Sequence, residues 1–334
     1  MTLRMELGEN GYDIVIEPGC LQKAGELLAL NRKVLIVTDD GVPALYAKTV
    51  AAACKEPTVV TVEQGESSKS FPVLERLLSK MLAGGFTRSD CVCAVGGGVV
   101  GDLSALAAAL YMRGIDFYNI PTTLLSQADS SIGGKTGIDL DGVKNIVGVF
   151  RQPKKVLIDP DTLSTLPPRQ IAAGHAEIVK AGLIADATLF SLYESGDAEC
   201  DLVTALSRAL AVKKSVVEQD EKESGLRRIL NFGHTVGHGI ESVTGLLHGE
   251  CVSLGMIPMC APDVRERLIP VLKRLGLPTF VTADPEKVYA ALLHDKKAAG
   301  GKITVITVEK PGACKQISLS PEALREKIET VVKA

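Results

Sequence analysis

Three histidines in the second half of the chain have a spacing that suits metal binding. His234 and His238 are four residues apart and fall on one face of a helix, and His248 follows shortly after them. Glu177 and Lys180 lie one helical turn apart in an earlier segment and add a carboxylate and a cation. One carboxylate and two histidines form a donor set typical of a catalytic zinc site, which keeps a position open for substrate. The spacing alone does not select the ligands, and ordinary core or surface histidines are the alternative interpretation.

Four further polar residues precede the histidine pair, namely Lys213, Glu223, Arg227 and Asn231. The last three follow one another at intervals of four, so a continuous helix would place them on one face that runs into His234. A solvated charged face is the simpler interpretation of such a pattern. Because the series leads into the histidines, we expect it to line a polar cavity.

A glycine-rich turn, GGGVVGD from Gly96 to Asp102, follows an apolar run and opens a segment of small residues. Without side chains, the backbone can approach a phosphate closely, and a helix N-terminus offers N–H groups and the positive end of a dipole. The spacing differs from the GxGxxG of an ordinary dinucleotide fold, and a merely tight turn is the alternative. The position between strand and helix favours binding of a pyrophosphate.

A long polar segment over 121–150 is rich in Thr, Ser, Gly, Asp and Lys, although strands flank it. Lys135, Lys144 and Asn145 could bind phosphate or ribose oxygens, and Arg113 upstream adds a fork-shaped anion donor. Each cation by itself could simply be solvated. Together, in a glycine-spaced segment of this length, they predict an ordered binding loop.

The elements that must position these residues alternate between β and α in the first half, which predicts a mostly parallel sheet covered on both faces. The predicted strands are 3–7, 12–16, 33–38, 58–62, 91–95, 116–120 and 155–159, and the predicted helices are 21–30, 43–54, 72–83 and 103–110. The second half is mainly helical, with a helix over 174–185 and one late strand over 302–308. Its last helix is announced by Ser320 as the cap and Pro321 at the first position.

The chain of 334 residues is long enough for two hydrophobic cores. We therefore predict an α/β nucleotide-binding domain over 1–165 and a mainly α-helical metal- and substrate-binding domain over 166–334. A ligand site in the cleft between two such domains is the expected arrangement.

The composition is that of an ordinary soluble protein, with a net charge of -3 and no basic excess that would indicate nucleic-acid binding. We expect no secretory signal, because no apolar stretch follows the positive charge of the first residues. The most apolar region, 91–111, is interrupted by three glycines and Asp102, so no membrane span is expected. Eight cysteines without a CxxC pair favour a reducing cytoplasm. Cys91 and Cys93 share a strand face and are not expected to form a disulfide.

Three sequence blocks resemble the 3-dehydroquinate synthase family of the sugar-phosphate cyclases. They are GGGVVGDLSALAAALYMRGIDFYNIPTTLLSQADSSIGGKTGI, LNFGHTVGHGIE and LHGE, and the likeness extends from about residue 38 to about residue 301. The chain departs from the family pattern at Leu140, His175 and Ala181, where His, an apolar residue and Tyr are common. The segment over 260–275 is also shorter, as though a helix were missing.

The resemblance implies a dehydroquinate synthase-like fold and assigns roles to individual residues. Zinc or cobalt would be held by Glu177, His234 and His248, and the catalytic residues would be Glu223 as acid or base, His238 as a proton-transfer group, and Lys180. NAD would be bound by Asp39, Glu66, Lys69, Gly97, Gly98, Val99, Asp102, Thr122, Thr123 and Lys144. The substrate would be bound by Arg113, Asp129, Lys135, Asn145, Lys213, Arg227, Asn231, Lys296 and Lys297.

The implied activity is that of a carbon–oxygen lyase of the shikimate pathway, which converts 3-deoxy-D-arabino-heptulosonate 7-phosphate into 3-dehydroquinate and phosphate. A homodimer is usual for the family that the chain resembles. The alternatives are a sister cyclase, a metal-dependent polyol dehydrogenase, and an inactive scaffold. The KTGI and KNIVG segments speak against the dehydrogenase, and the intact set Glu177, His234 and His248 speaks against the scaffold.

Overall fold

The computed structural model describes residues 1–296 and 302–333, and the chain divides into two compact units, Met1–Leu166 and Pro167–Ala334. The first unit contains a seven-stranded sheet and four helices, and the second is mainly helical. Among the described residues, no helix is both long and apolar enough to cross a membrane.

The sheet of the first unit is parallel except at one edge, as the alternation of β and α segments predicts. Its strands are β1 Thr2–Met5, β2 Tyr12–Ile16, β3 Lys33–Asp39, β4 Glu56–Val62, β5 Cys91–Gly96, β6 Asp116–Pro121 and β9 Lys155–Ile158. Its helices are α1 Ala24–Leu27, α2 Ala44–Ala52, α3 Phe71–Ala83 and α4 Gly98–Leu110. The spatial order is β1-β2-β9-β6-β5-β3-β4, and only β1 runs antiparallel to its neighbour.

Helices cover both faces of this sheet, and alternate residues of a strand pack against opposite faces. On β3, Leu35 and Val37 belong to a core formed with α3 and α4. Val34 and Ile36 belong to a second core, formed with α1 and α2. Strands buried on both faces read as continuous apolar runs, and for this reason the predicted strands agree with the observed ones within one or two residues at most ends.

The predicted polar loop over 121–150 contains regular structure that the sequence reading did not include. The strands β7 Ile138–Leu140 and β8 Val143–Val147 form an antiparallel hairpin in which Leu140 pairs with Val143. The two connecting residues, Asp141 and Gly142, have φ of 51° and 79°. Two positive φ angles in a two-residue Asp-Gly connection are the signature of a type I′ turn.

The second unit is built from helices around α5. Its helices are α5 Pro168–Ala185, α6 Ala187–Ser195, α7 Asp197–Cys200, α8 Leu202–Gln219, α9 His234–Glu241, α10 His248–Met256, α11 Pro262–Arg274, α12 Pro285–Lys296 and α13 Pro321–Glu329. Its strands are β10 Val281–Thr282, β11 Ile303–Lys310, β12 Ala313–Leu319 and β13 Val332–Lys333. Every residue of α5 from Ala172 to Ile184 is buried, as expected for a helix surrounded by others.

Several predictions need correction in detail. The predicted helix 21–30 is a 3₁₀ turn, Cys20–Lys23, followed by only four residues of α1. The late strand is longer than predicted and pairs with β12, which was not predicted. The stretch from Glu223 to His234 is not one helix: it contains the 3₁₀ segment Leu226–Asn231, and α9 starts only at His234. The last helix begins as predicted, with the Ser320 hydroxyl accepting a hydrogen bond from Ala323 N–H at 3.2 Å.

Candidate functional site

Three helices of the second unit bring Glu177, His234 and His248 together. Glu177 lies in the middle of α5, and the two histidines are the first residues of α9 and α10. The Nε2 atoms of His234 and His248 lie 3.7 Å and 3.5 Å from Oε1 of Glu177. One donor atom from each of the three residues falls within 4.8 Å of the others, which is a distance that one metal ion can bridge.

Glycines allow these helices to approach closely enough for the three side chains to meet. A Cβ atom at Gly249 would lie 1.9 Å from the carbonyl oxygen of Ala173, and a Cβ at Gly255 would lie 1.9 Å from that of Gly233. Both distances are far inside van der Waals contact, so no residue with a side chain fits without moving the backbone. Gly249 and Gly255 therefore allow α10 to lie close to α5 and to the start of α9, the helices that carry Glu177 and His234.

The carboxylate of Glu177 is the strongest sign that a cation belongs here. Its side chain is 1% exposed and forms an ion pair with Lys180, but neither of its oxygens accepts a hydrogen bond of regular geometry among the described residues. Buried carboxylates are normally fully paired, because an unsatisfied charge is costly in a low dielectric. A divalent metal held by Glu177, His234 and His248 would satisfy these oxygens, so the three side chains fit a metal site.

The protonation of the cluster follows from burial and charge. Burial alone would raise the pKa of Glu177, but Lys180 and the histidines lower it well below its usual value. Burial and the nearby charge of Lys180 lower the pKa of His234 to about 3, so this imidazole is neutral. Burial opposes protonation of His248, but Glu177 and Glu241 outweigh it and raise the pKa of His248 to about 10. Metal binding would have to release this proton, as is usual for histidine ligands.

Each of the two metal-facing imidazoles is held through its other ring nitrogen. His234 Nδ1 lies 3.1 Å from the carbonyl oxygen of Phe232, and His248 Nδ1 lies 3.0 Å from Oε2 of Glu241. The remaining histidine of the cluster, His238, is exposed, and its ring centroid lies 5.4 Å from that of His234.

A loop between α8 and α9 carries three of the polar residues singled out from the sequence. Glu223 has φ of 59°, and its Oε1 accepts a hydrogen bond from Asn231 Nδ2 at 2.7 Å. Arg227 is one of the largest fully buried side chains, at 2% exposure, and its guanidinium donates to the carbonyl oxygen of Glu221. The tertiary fold therefore brings Glu223 and Asn231 together, although the single helical stripe that the sequence predicted does not form.

One carboxylate, Asp220, organises this loop. It accepts hydrogen bonds from the N–H groups of Ser224, Gly225 and Arg227 at 2.8 Å, 2.7 Å and 2.9 Å. The Ser224 hydroxyl donates a further bond at 2.9 Å. These backbone hydrogen bonds, first of all those from Arg227 and Gly225, lower the pKa of Asp220.

Two of the other predicted residues of the second unit are buried cations. Lys180 and Lys213 are 3% and 8% exposed. Lys297 lies outside the described residues, and so does the side chain of Lys296.

In the first unit, the glycine-rich turn leads directly into a helix. Gly97 caps α4, which starts at Gly98, five residues before the predicted start, so Gly98 and Val99 lie in the first turn. The first N–H groups of a helix have no partner within it, and they are available to an anion. A Cβ at Gly97 would lie 3.1 Å from the Thr123 side chain, so the turn packs closely against Thr123.

A buried lysine connects two of the predicted cofactor residues of this unit with one of the predicted substrate residues. Lys69 is 4% exposed, and its Nζ lies 2.8 Å from Oδ2 of Asp102 and 3.4 Å from Oε1 of Glu66. Nζ also donates to the side-chain oxygen of Asn145 in the hairpin. Burial opposes the charged form, but Asp102 and Glu66 raise the pKa of Lys69, so it stays a cation.

The remaining predicted residues of this unit differ in exposure. Asp39 is mostly buried, accepts hydrogen bonds from Gly41 and Val42 N–H at 2.9 Å and 3.1 Å, and has a pKa raised by burial. Thr122, the residue directly after β6, is buried. The side chains of Arg113, Lys135 and Lys144 are exposed, and Asp129 lies half-buried in the irregular helical turn Ser126–Ser130.

Sequence reasoning did not identify Asp139, Asp220 and Glu241, although each contacts a predicted residue. Asp139 Oδ1 accepts from the N–H of Asn145 at 2.8 Å. Glu241 could have been noticed, because it ends the GHGIE block three residues after His238 and so lies on the same helical face. The loop-forming role of Asp220 has no comparable periodic signal.

Known proteins resemble the whole chain. The family models for the 3-dehydroquinate synthase N-terminal and C-terminal domains match residues 59–173 and 174–298. A 3-dehydroquinate synthase of Enterococcus faecalis is 44% identical over 97% of this chain and 98% of its own length.

Two solved cyclases share the fold over nearly their full length. The 2-epi-5-epi-valiolone synthase of Streptomyces hygroscopicus subsp. jinggangensis, solved with NAD+ and Zn2+, is 30% identical with a TM-score of 0.87, covering 96% of each chain. A 2-deoxy-scyllo-inosose synthase, solved with carbaglucose-6-phosphate, NAD+ and Co2+, is 25% identical with a TM-score of 0.87, covering 98% of this chain and 99% of the other. The two family models together span more than half of the chain, and the Enterococcus faecalis 3-dehydroquinate synthase is 44% identical over 97% of it. The chain therefore belongs to the 3-dehydroquinate synthase family.

Proposed function

We propose that the protein converts 3-deoxy-D-arabino-heptulosonate 7-phosphate into 3-dehydroquinate and phosphate, with NAD and a divalent metal as cofactors. The observation that carries this proposal is the convergence of Glu177, His234 and His248, with the buried carboxylate oxygens of Glu177 left for a cation. Membership of the family supplies the reaction class, and the polar residues around this cluster suit an anionic sugar phosphate.

The metal would be held by Glu177, His234 and His248, which supply one carboxylate and two imidazoles as at other catalytic zinc sites. When bound, a divalent metal acts as a Lewis acid that holds and acidifies hydroxyl groups of the substrate. Lys180, paired with Glu177, adds a fixed positive charge next to this position.

Lys213 of α8 and the residues of the loop before α9 would recognise and protonate the substrate. Arg227 and Lys213 are buried cations, and a guanidinium with an ammonium suits a fixed carboxylate. Glu223, oriented by Asn231, would act as an acid or base. His238 is exposed beside the two proposed ligands and would transfer protons.

In the first unit, NAD would be bound by the glycine turn and the residues around it. The N-terminus of α4 would receive the pyrophosphate, and Asp39, Glu66, Lys69, Asp102, Thr122, Thr123 and Lys144 would contact the rest of the cofactor. Arg113, Asp129, Lys135 and Asn145 of the same unit would contribute to substrate binding. The NAD-binding residues would hold a cofactor whose chemistry, when bound, would be reversible hydride transfer without net oxidation of the substrate.

The test of this function is the release of phosphate from the heptulosonate phosphate by the purified protein. We expect stoichiometric phosphate with a catalytic amount of NAD and no lasting absorbance of NADH. Accumulation of NADH would support the polyol dehydrogenase alternative instead. Efficient cyclisation of a sugar phosphate without a carboxylate would move the chain to a sister cyclase.

We further propose that the protein acts as a homodimer in the cytoplasm. All eight cysteines are free thiols, which suits a reducing compartment. The oligomeric state can be measured by light scattering on the eluted protein, and a mass near 35.3 kDa would contradict the dimer.

A further inference from the structure

We propose that Glu241 is a positioning residue for the metal site, which fixes the imidazole of His248 so that Nε2 faces Glu177. This inference rests on the proposed function, because it presumes that Glu177, His234 and His248 hold the metal. It adds a residue that belongs to none of the predicted ligand, cofactor or substrate sets.

The two ring nitrogens of His248 face two different carboxylates. Nδ1 lies 3.0 Å from Oε2 of Glu241, and Nε2 lies 3.5 Å from Oε1 of Glu177. A hydrogen bond from Nδ1–H to Glu241 leaves Nε2 as the nitrogen that can bind a metal. Histidine ligands generally donate their other N–H to a carboxylate or carbonyl, which fixes both the ring orientation and the tautomer.

His248 depends on such a partner more than His234 does. Its side chain is 33% exposed, compared with 13% for His234, so fewer neighbours restrict its rotation. His234 is oriented by the carbonyl oxygen of Phe232, a backbone atom two residues away. His248 instead relies on a side chain at the far end of α9, and Glu241 is itself mostly buried at 16% exposure.

A second arrangement must be distinguished from this one. His238, Glu241 and His248 also present donor atoms within 4.8 Å of one another, so Glu241 could in principle be a ligand itself. The carboxylate of Glu177 argues against this, since it is buried and, within the described part of the chain, neither of its oxygens accepts a regular hydrogen bond, whereas His238 is exposed. A bound cation would compensate the buried charge of Glu177, whereas the carboxylate of Glu241 is already hydrogen-bonded to His248.

The experiment measures zinc affinity by competition with a chromogenic chelator, using the purified full chain and Zn2+ alone as the probe. We expect Glu241→Ala to raise the zinc Kd by about 10- to 100-fold, the range found when an outer partner of a histidine ligand is lost. Glu241→Gln should lose less, because its amide oxygen can still accept from Nδ1–H. Glu266→Gln, a change at an exposed glutamate of α11, is the matched control and should keep the wild-type affinity.

A second readout reports the geometry of the site and not only its strength. With Co2+ as the probe, the visible absorption spectrum should change in Glu241→Ala and stay closer to wild type in Glu241→Gln. Circular dichroism on the same samples checks that both variants fold. If Glu241→Ala does not fold, Glu241→Gln provides the test, because glutamine keeps the shape of the side chain and an oxygen that accepts from Nδ1–H.

The outcomes separate this inference from the proposed function. Wild-type zinc affinity and an unchanged cobalt spectrum in Glu241→Ala, with metal lost in His248→Ala, would overturn only the positioning role. Complete loss of zinc in both Glu241→Gln and His238→Ala would make Glu241 a ligand and overturn the inference in favour of the second arrangement. Zinc binding unaffected by His248→Ala would show that the proposed ligand set, and the function resting on it, is wrong.

Discussion

Asp220 accepts a hydrogen bond at 2.9 Å from the backbone N–H of Arg227, seven residues further along the chain. The same carboxylate binds the N–H groups of Ser224 and Gly225, so the backbone between the two residues folds around it. This single contact links the conformation of the loop to the position of a buried guanidinium.

Replacing Arg227 should impair recognition of the substrate carboxylate. We expect Arg227→Ala to lower kcat/KM for the heptulosonate phosphate by an amount equivalent to about 2–4 kcal/mol, the scale for losing one partner of a buried charge pair. A sugar phosphate without the carboxylate, such as glucose 6-phosphate, should be affected much less if it is turned over at all. Steady-state kinetics on both substrates provides the measurement, and equal losses would mean that Arg227 is structural.

Replacing Asp220 should produce a weaker change of the same kind. In Asp220→Asn, an amide NH₂ would face backbone N–H donors in place of an accepting oxygen, so the loop should loosen. We expect kcat/KM for the carboxylate substrate to fall, by less than in Arg227→Ala, with zinc and NAD affinities unchanged. A variant that keeps the full kcat/KM would show that the loop holds Arg227 in place without Asp220.

The histidines of the cluster should differ in their effect on metal content. His248→Ala removes one of three protein ligands, so we expect zinc binding and activity to be lost while helical content is largely retained. His238→Ala should keep the metal and turn over slowly. Metal analysis of the purified variants, with circular dichroism, checks both expectations, and full zinc occupancy in His248→Ala contradicts the assigned ligands.

A side chain at Gly98 should interfere with NAD. A Cβ there would lie 3.0 Å from Oγ of Ser130, so Gly98→Val crowds the first turn of α4. We expect the NAD Kd to rise at least tenfold, equivalent to about 1.4 kcal/mol, with little loss of folding. Calorimetric titration measures this, with Gly245→Ala as the control, since a Cβ at Gly245 would meet nothing within 4 Å. An unchanged Kd would make the glycine turn merely structural.

The buried histidine that departs from the family pattern, His175, should make stability depend on pH. Its Nδ1 lies 2.7 Å from the Tyr193 hydroxyl, and burial lowers the pKa of His175 to about 4 from an ordinary 6.5. Below pH 6.5, His175 is protonated in the unfolded chain but stays neutral in the folded chain until the pH approaches 4. Stability is therefore lost as the pH falls from 6.5 towards 4. The loss amounts to roughly 3 kcal/mol when complete.

The measurement is urea unfolding of chelator-treated protein at pH 7.5 and pH 4.5. The wild type should lose more of its free energy of unfolding over this interval than His175→Gln, which carries no titrating group at this position. Equal losses in the two proteins would show that His175 is protonated as readily in the folded state as in the unfolded chain.

The sequence by itself determined the elements whose signals are local. The strand Cys91–Gly96 is apolar throughout because both of its sides are buried, and Ser320 with Pro321 marks a helix start through contacts within a few residues. The Asp141-Gly142 turn was equally local, but its hairpin was overlooked because the longer segment around it is rich in polar residues, and the apolar residues Leu140, Val143 and Ile146 of its strands are exposed. The resemblance to the family also depended only on the order of residues.

The tertiary structure decided which polar groups meet. Glu177, His234 and His248 are far apart in sequence, and periodicity within one helix cannot report an approach between three helices. That approach depends on backbone contacts at Gly249 and Gly255, where any Cβ would overlap a carbonyl oxygen. The loop from Asp220 to Asn231 shows the same limit, because four hydrogen bonds to one carboxylate override the helical spacing of its residues. Side-chain types indicate the available chemistry, but packing distances select which of them act together.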